Sequence, residues 1–220
     1  MNEILPGIFH WKVVWPEFWS LESYYIRTDE GSVIIDPIEC IGLNEIDEDD
    51  NIQAVIVTVG WHERSARLFA KRTRAPLFVP TEDAHRFEDL EGFISYEHGY
   101  ELPCELTAIG VPGLTPGEHA LLSHLHGGSL FVGDALGTTA KWAPGDTPLG
   151  AHPNGHPQPA ETLSHLLDFR FENIMPGHGD PLIGNGRTEL EKLIQHNRCT
   201  TSAAPRVTWV PGRRLNQDGA

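Results

Sequence analysis

Hydrophobic positions in the first third of the chain come in short runs and alternations rather than in a helical rhythm. Ile8 to Val14 and Leu21 to Thr28 are rich in aromatic and β-branched residues, and Asp29-Glu30-Gly31 supplies a hairpin turn between strands. Ser32 to Ile35 is a brief apolar run that stops at Asp36-Pro37, where proline cannot continue a ladder. Ile52 to Thr58 reads as a strand buried on both faces, and after Gly60 the pattern predicts a helix over Trp61–Arg72. A further short strand at Leu77–Val79 completes a βαβ unit. The middle repeats the strand pattern at Leu106–Val111, Glu118–Leu125 and Ser129–Val132, the last ending in Gly133-Asp134. From 136 to 159 the chain is rich in proline and glycine and predicts a long irregular loop, the kind that is usually functional or mobile. A helix is predicted over Pro159–Asp168, a strand over Phe171–Met175 and a closing amphipathic helix over Thr188–His196, with a loosely held tail after Pro205.

Length and composition place these elements in one body. The chain has 220 residues, 40% of them hydrophobic and 21% charged, which suits a single domain over residues 1–220 with a core of its own. Its formal charge is −15, a field that repels phosphate backbones and anionic lipid head groups. The expected partners are therefore a small-molecule substrate or ligand, with no nucleic acid and no membrane; a homo-oligomer stays open. The one basic cluster, Arg64, Arg67, Lys71, Arg72 and Arg74, fits a solvated helix face, and the acidic run over 45–50 an exposed loop. No stretch reaches the ~18 apolar residues of a membrane span, and Met1–Pro6 lacks the pattern of a signal peptide. Three separated cysteines suggest neither a disulfide framework nor a thiolate zinc site. The expectation is a cytoplasmic protein.

Twelve histidines are a generous supply of ligands and proton carriers. Three strand ends carry the candidate chemistry: Thr58-Val59-Gly60-Trp61-His62-Glu63-Arg64, Gly133-Asp134, and Pro176-Gly177-His178-Gly179. Polar residues just past strand ends in a layered α/β protein face a common edge, where ligands bind. His119, His124 and His126 alternate with apolar residues and are expected on an exposed sheet face. His152 and His156 lie in the long loop.

In this order and spacing, these segments resemble the metallo-β-lactamase fold superfamily. The resemblance extends to Ile35-Asp36, to Val111-Pro112-Gly113-Leu114-Thr115-Pro116-Gly117 and to Val132-Gly133-Asp134-Ala135-Leu136. It implies an α/β fold, a four-layer αββα sandwich, with one or two metal ions at one edge of the sheets and a water activated for hydrolysis of an ester, thioester, amide or phosphodiester.

The departures are as informative. Where the superfamily writes His-x-His-x-Asp-His, this chain has Val59-Gly60-Trp61-His62-Glu63-Arg64, and Leu114 stands at a further histidine position. The resemblance then leaves the first metal only Asp134. A second site would keep Asp134 and His178, joined by Glu63 or by His62 one residue out of register. Asp134 would be the catalytic anchor of a single divalent ion, zinc foremost, with manganese or iron as alternatives. Arg64 and Trp61 would contact substrate. A second expectation is a metal-free pseudoenzyme in which Arg64 lies between Glu63 and Asp134 and replaces the metal's charge, leaving a remnant pocket for a small ligand or a partner.

Overall fold

The computed structural model describes residues 1–15, 19–43, 46, 51–89, 92–143 and 147–203. Seven strands, β1 (Asn2–Leu5), β2 (Ile8–Trp15), β3 (Trp19–Thr28), β4 (Gly31–Ile35), β5 (Ile52–Ile56), β6 (Leu77–Pro80) and β7 (Ile94–Tyr96), form one sheet in sequence order. β8 (Glu101–Leu102), β9 (Leu106–Gly110), β10 (His119–Ser123), β11 (Ser129–Phe131) and β14 (Asn173–Met175) form a second, ordered β14-β11-β10-β9-β8. A two-stranded ribbon, β12 (Leu136–Gly137) with β13 (Gly150–Ala151), stands apart. Helix α1 (Ala66–Thr73) packs on β5 and β6, while α2 (Pro159–Thr162) and α3 (Gly186–Ala203) pack together beside β14.

The alternation of side chains along each strand explains four layers. On the first sheet Tyr24, Ile26, Val33, Ile35, Ala54 and Ile56 point one way, and meet Leu106, Ala108, Leu121, Phe131 and Met175 of the second. Their immediate neighbours Tyr25, Ile34, Val55 and Val57 point the other way, onto Ala66 and Phe69 of α1. On the second sheet Ile109, Ala120, Leu122 and Leu130 do the same, against Leu190 and Ile194 of α3 and Leu163. Both faces of each sheet are thus buried, so near-continuous apolar runs are what period-two geometry requires. The result is the expected αββα sandwich.

Local corrections have identifiable causes. The helix expected over Trp61–Arg72 is a 3₁₀ turn at Gly60–Glu63, a break, and then α1, because Arg64 sits at φ 39° where no helix continues. The Pro159–Asp168 helix is likewise α2 followed by a 3₁₀ turn over Ser164–Asp168. The irregular loop over 136–159 contains the β12–β13 ribbon. His119 is buried, not on an exposed face; its Nδ1 bonds the Gly117 carbonyl oxygen, and only His124 and His126 are exposed. The acidic run over 45–50, apart from Ile46, and the tail after Pro205 lie outside the described residues. Among the described residues no helix is long and apolar enough to cross a membrane.

Candidate metal centre

The parallel pairs β4–β5 and β11–β14 end at the same edge, and their last residues build the centre. Asp36 follows β4 at φ 48°, which turns its carboxylate back across β5. There it accepts the Thr58 backbone N–H at 2.8 Å and the Thr58 hydroxyl at 2.6 Å. Its Oδ2 also lies 2.8 Å from His62 Nδ1. The turn that carries His62 is held from below by Asp83, whose Oδ2 accepts the Gly60 N–H at 2.7 Å and the Thr115 hydroxyl at 2.7 Å. Gly177 must lack a side chain, because a Cβ there would fall 2.6 Å from the Gly133 carbonyl oxygen and 2.6 Å from His62 Cε1.

Three functional groups converge. His62 Nε2 lies 2.9 Å from Asp134 Oδ1, and His178 Nε2 lies 3.0 Å from the same oxygen. All three side chains are buried, and one donor atom from each lies within 4.8 Å of the others. His178 Nδ1 is 2.8 Å from the Ser20 carbonyl oxygen, which can only accept, so that nitrogen carries the hydrogen. Asp36 fixes His62 Nδ1 in the same way. Both Nε2 atoms therefore turn inward. A distal donor held by a carboxylate or a carbonyl is how metal-binding imidazoles are oriented.

The flanking candidates divide. Glu63 turns out of the centre and pairs with Arg67, which also reaches Asp89. Arg64 therefore does not bridge Glu63 and Asp134. Its Nη1 donates to the carbonyls of Glu22 at 2.5 Å and Asp36 at 3.2 Å, while Nη2 lies 3.0 Å from His62 Nε2 and 3.3 Å from the Gly177 carbonyl oxygen. Trp61 is 59% exposed and stacks under the Arg86 guanidinium, 4.4 Å from its ring centroid. Val59, at another position of the motif, is buried in the protein.

The opposite flank carries a pair that the motifs did not reveal. Glu118 Oε2 accepts the Leu114 backbone N–H at 3.0 Å and lies 3.6 Å from His156 Nε2. Glu118 Oε1 and His156 Nε2 are buried without a hydrogen-bond partner. The signals in the sequence were a glutamate at the start of a strand and His156 in the long loop, with nothing to join them.

Charge follows geometry. Burial and the Arg64 guanidinium both push His62 toward its neutral form, yet Asp134 and Asp36 outweigh them and raise its pKa from 6.5 to about 9. Burial pushes Asp134 up, but the two imidazoles, His62 before His178, hold its carboxyl well below the usual range. Without a metal ion, a proton on His62 supplies the positive charge this centre requires. Burial raises Glu118, with the His156 contact opposing it. Arg64 is lowered by burial against the pull of Asp36 and Asp134.

No protein-family model and no curated protein matches the sequence. Solved structures do. A metallo-β-lactamase family protein from Thermus thermophilus superposes with a TM-score of 0.65 at 18% identity, over 91% of this chain and 82% of that one. A metal-soaked flavodiiron core from Synechocystis gives 0.67 at 16% identity over 92% of this chain, which spans 61% of that longer one. A metallo-β-lactamase from Cronobacter sakazakii with a His-Ala-Arg-Leu-Asp-Gln motif gives 0.58 at 12% identity, over 91% of this chain and 95% of that one. The chain has the metallo-β-lactamase fold.

Proposed function

We propose that this metallo-β-lactamase-fold chain is a hydrolase with a single divalent metal ion, held by His62 Nε2, His178 Nε2 and the Asp134 carboxylate. One observation carries the reading. Both imidazoles commit Nδ1 to an acceptor, at 2.8 Å in each case, so both Nε2 atoms converge on Asp134, where an ion would take the place of any proton on them. Two imidazoles and one carboxylate suit zinc, iron or manganese and leave positions open for water and substrate. Such an ion acts as a Lewis acid and lowers the pKa of a water to ~7. Asp36 and the Ser20 carbonyl hold the two rings in the required tautomer. Arg64, fixed on backbone carbonyls, keeps a permanent positive charge beside the centre, which favours an anionic substrate and disfavours a second ion. The Cronobacter neighbour's His-Ala-Arg-Leu-Asp-Gln motif also departs from His-x-His-x-Asp-His and belongs to a protein described as a metallo-β-lactamase. Glu63, paired with Arg67, drops out of the ligand set.

A specific contact favours a second reading. Arg64 Nη2 approaches His62 Nε2 at 3.0 Å, where a metal ion would also compete for that lone pair. Arg64, donating to that lone pair, would then be the resident cation of a metal-free ligand-binding protein. Elemental analysis of tag-free protein separates the two, run beside Asp134→Ala, His178→Ala and Arg64→Ala. The hydrolase reading expects near-stoichiometric metal, lost in the first two variants and retained or tightened in Arg64→Ala. Esters, thioesters and phosphodiesters are then screened with and without chelator. No metal after supplementation with zinc, manganese and iron sinks the hydrolase reading.

A further inference from the structure

His152, directly after β13, is held in the opposite sense from the two imidazoles of the centre. His62 and His178 set Nδ1 against an oxygen at 2.8 Å and turn Nε2 inward. His152 Nδ1 instead accepts the backbone N–H groups of Asn154 and Gly155, each at 3.2 Å. A neutral ring that accepts at Nδ1 carries its hydrogen on Nε2. Burial lowers the His152 pKa from 6.5 against the pull of Asp134, which keeps the ring neutral. Its Nε2 is thus neither a lone pair for a metal ion nor a base. It is a donor, and among the described residues the ring makes no hydrogen bond through it.

The fold sets that donor beside the centre. The His152 backbone N–H bonds the carbonyl oxygen of Ala135, the residue after Asp134, at 3.1 Å. Its ring meets the Trp142 indole edge-on with 4.8 Å between centroids, and the same indole meets His178 at 5.3 Å. Trp142 is fixed there, since a Cβ on Gly137 would fall 2.2 Å from its ring and one on Gly150 would fall 1.5 Å from its carbonyl oxygen. The chain neighbours Ala151 and Pro153 line a separate cleft against α3, and alternation along the chain turns His152 away from it, half-buried rather than sealed. A donor fixed in advance where negative charge develops acts without reorganisation, and counts for more there than in water.

We infer that His152 binds substrate: its Nε2–H donates to an anionic oxygen on a tetrahedral centre, either the phosphoryl group of a phosphodiester or the adduct of water with an ester carbonyl. In the ester case the new C–O bond forms as the carbonyl π pair moves onto that oxygen, and no proton leaves His152. The inference rests on the hydrolase reading. The probe is methyl phenylphosphonate, a tetrahedral monoanion, titrated calorimetrically into protein loaded with the divalent ion it retains, with metal content measured beside it. Two substitutions separate the two edges of the ring. His152→Asn keeps an oxygen near the Nδ1 position for the Asn154 and Gly155 N–H groups and removes the outer donor. His152→Gln places an amide N–H near the Nε2 position and gives up the Nδ1 acceptor. We expect His152→Asn to weaken the probe about tenfold or more, as the loss of a hydrogen bond to a charged group requires, with metal content and melting temperature kept. His152→Gln should bind the probe more tightly than His152→Asn, although it is the less stable protein. Unchanged binding in His152→Asn, the reverse order of the two variants, or no binding of the probe to the loaded parent at millimolar concentration overturns the inference and leaves the hydrolase reading in place. A parent that takes up no zinc, manganese or iron overturns both.

Discussion

The two flanks of the sheet edge treat buried charge in opposite ways. On one, Asp36, His62, Asp134 and His178 form a connected chain in which each ring nitrogen faces an oxygen at 2.8–3.0 Å. On the other, Leu114 occupies a motif position, and Glu118 and His156 each bury a polar atom without a hydrogen-bond partner. An unpaired buried polar atom costs about 1–3 kcal/mol, so the second flank is tolerated while the first is organised. Organisation around two inward Nε2 atoms is what a cation site requires; a merely tolerated pair carries no such direction.

The largest break in that contrast comes from Asp134→Ala. Asp134 is approached by both imidazoles, so its loss should remove bound metal and leave the His62 charge with Asp36 alone. Breaking a buried charge pair costs about 3 kcal/mol, and the melting temperature of the stripped protein should fall accordingly. A stripped variant as stable as its parent would show that His62 is neutral and that the pairing is not electrostatic.

A pH titration of stability sharpens the same flank. The folded-state pKa of His62 is about 9 against 6.5 unfolded, so the folded protein holds a proton that the unfolded chain releases between those values. The stabilisation is complete below pH 6.5 and is lost as pH rises through 9. It amounts to at most about 3 kcal/mol, at about 1.4 kcal/mol per pH unit. Denaturant unfolding of stripped protein across that range should show the decline. A metal ion on Nε2 displaces the proton, so loaded protein should lack this slope. Identical slopes with and without metal would exclude His62 as a ligand.

The layers and the edge were legible because apolar runs ending in Asp36, Thr58, Asp134 and His178 follow from strand period and strand termini. The orientation of single residues was not. Read by register, Glu63 occupies the carboxylate position and His62 lies one residue out. The backbone instead tightens into a 3₁₀ turn and reverses at Arg64 with φ 39°, which swings His62 inward and Glu63 onto Arg67. A positive φ at a non-glycine residue leaves no mark in a hydrophobic pattern. Asp36 was visible as a strand end, but its role as the holder of His62 depends on a contact across 26 residues. Glu118 and His156 meet only because the 152–156 segment folds onto the 113–118 turn, which no local spacing encodes.

The smallest expected effect tests the tolerated flank. Burial raises the Glu118 carboxyl, so above its folded pKa the charged form opposes folding. Glu118→Gln keeps an oxygen for the Leu114 N–H and removes that charge, at nearly the same volume. Stability at pH 7 should stay level or rise by about 1 kcal/mol, with metal content unchanged, as measured by denaturant unfolding and elemental analysis. A loss of about 2 kcal/mol or more would mean that the Glu118–His156 pair is a net stabilising ion pair rather than a tolerated one. A loss of metal would mean instead that the two flanks are energetically one site, and that the Leu114 turn positions Asp134 through the chain between them.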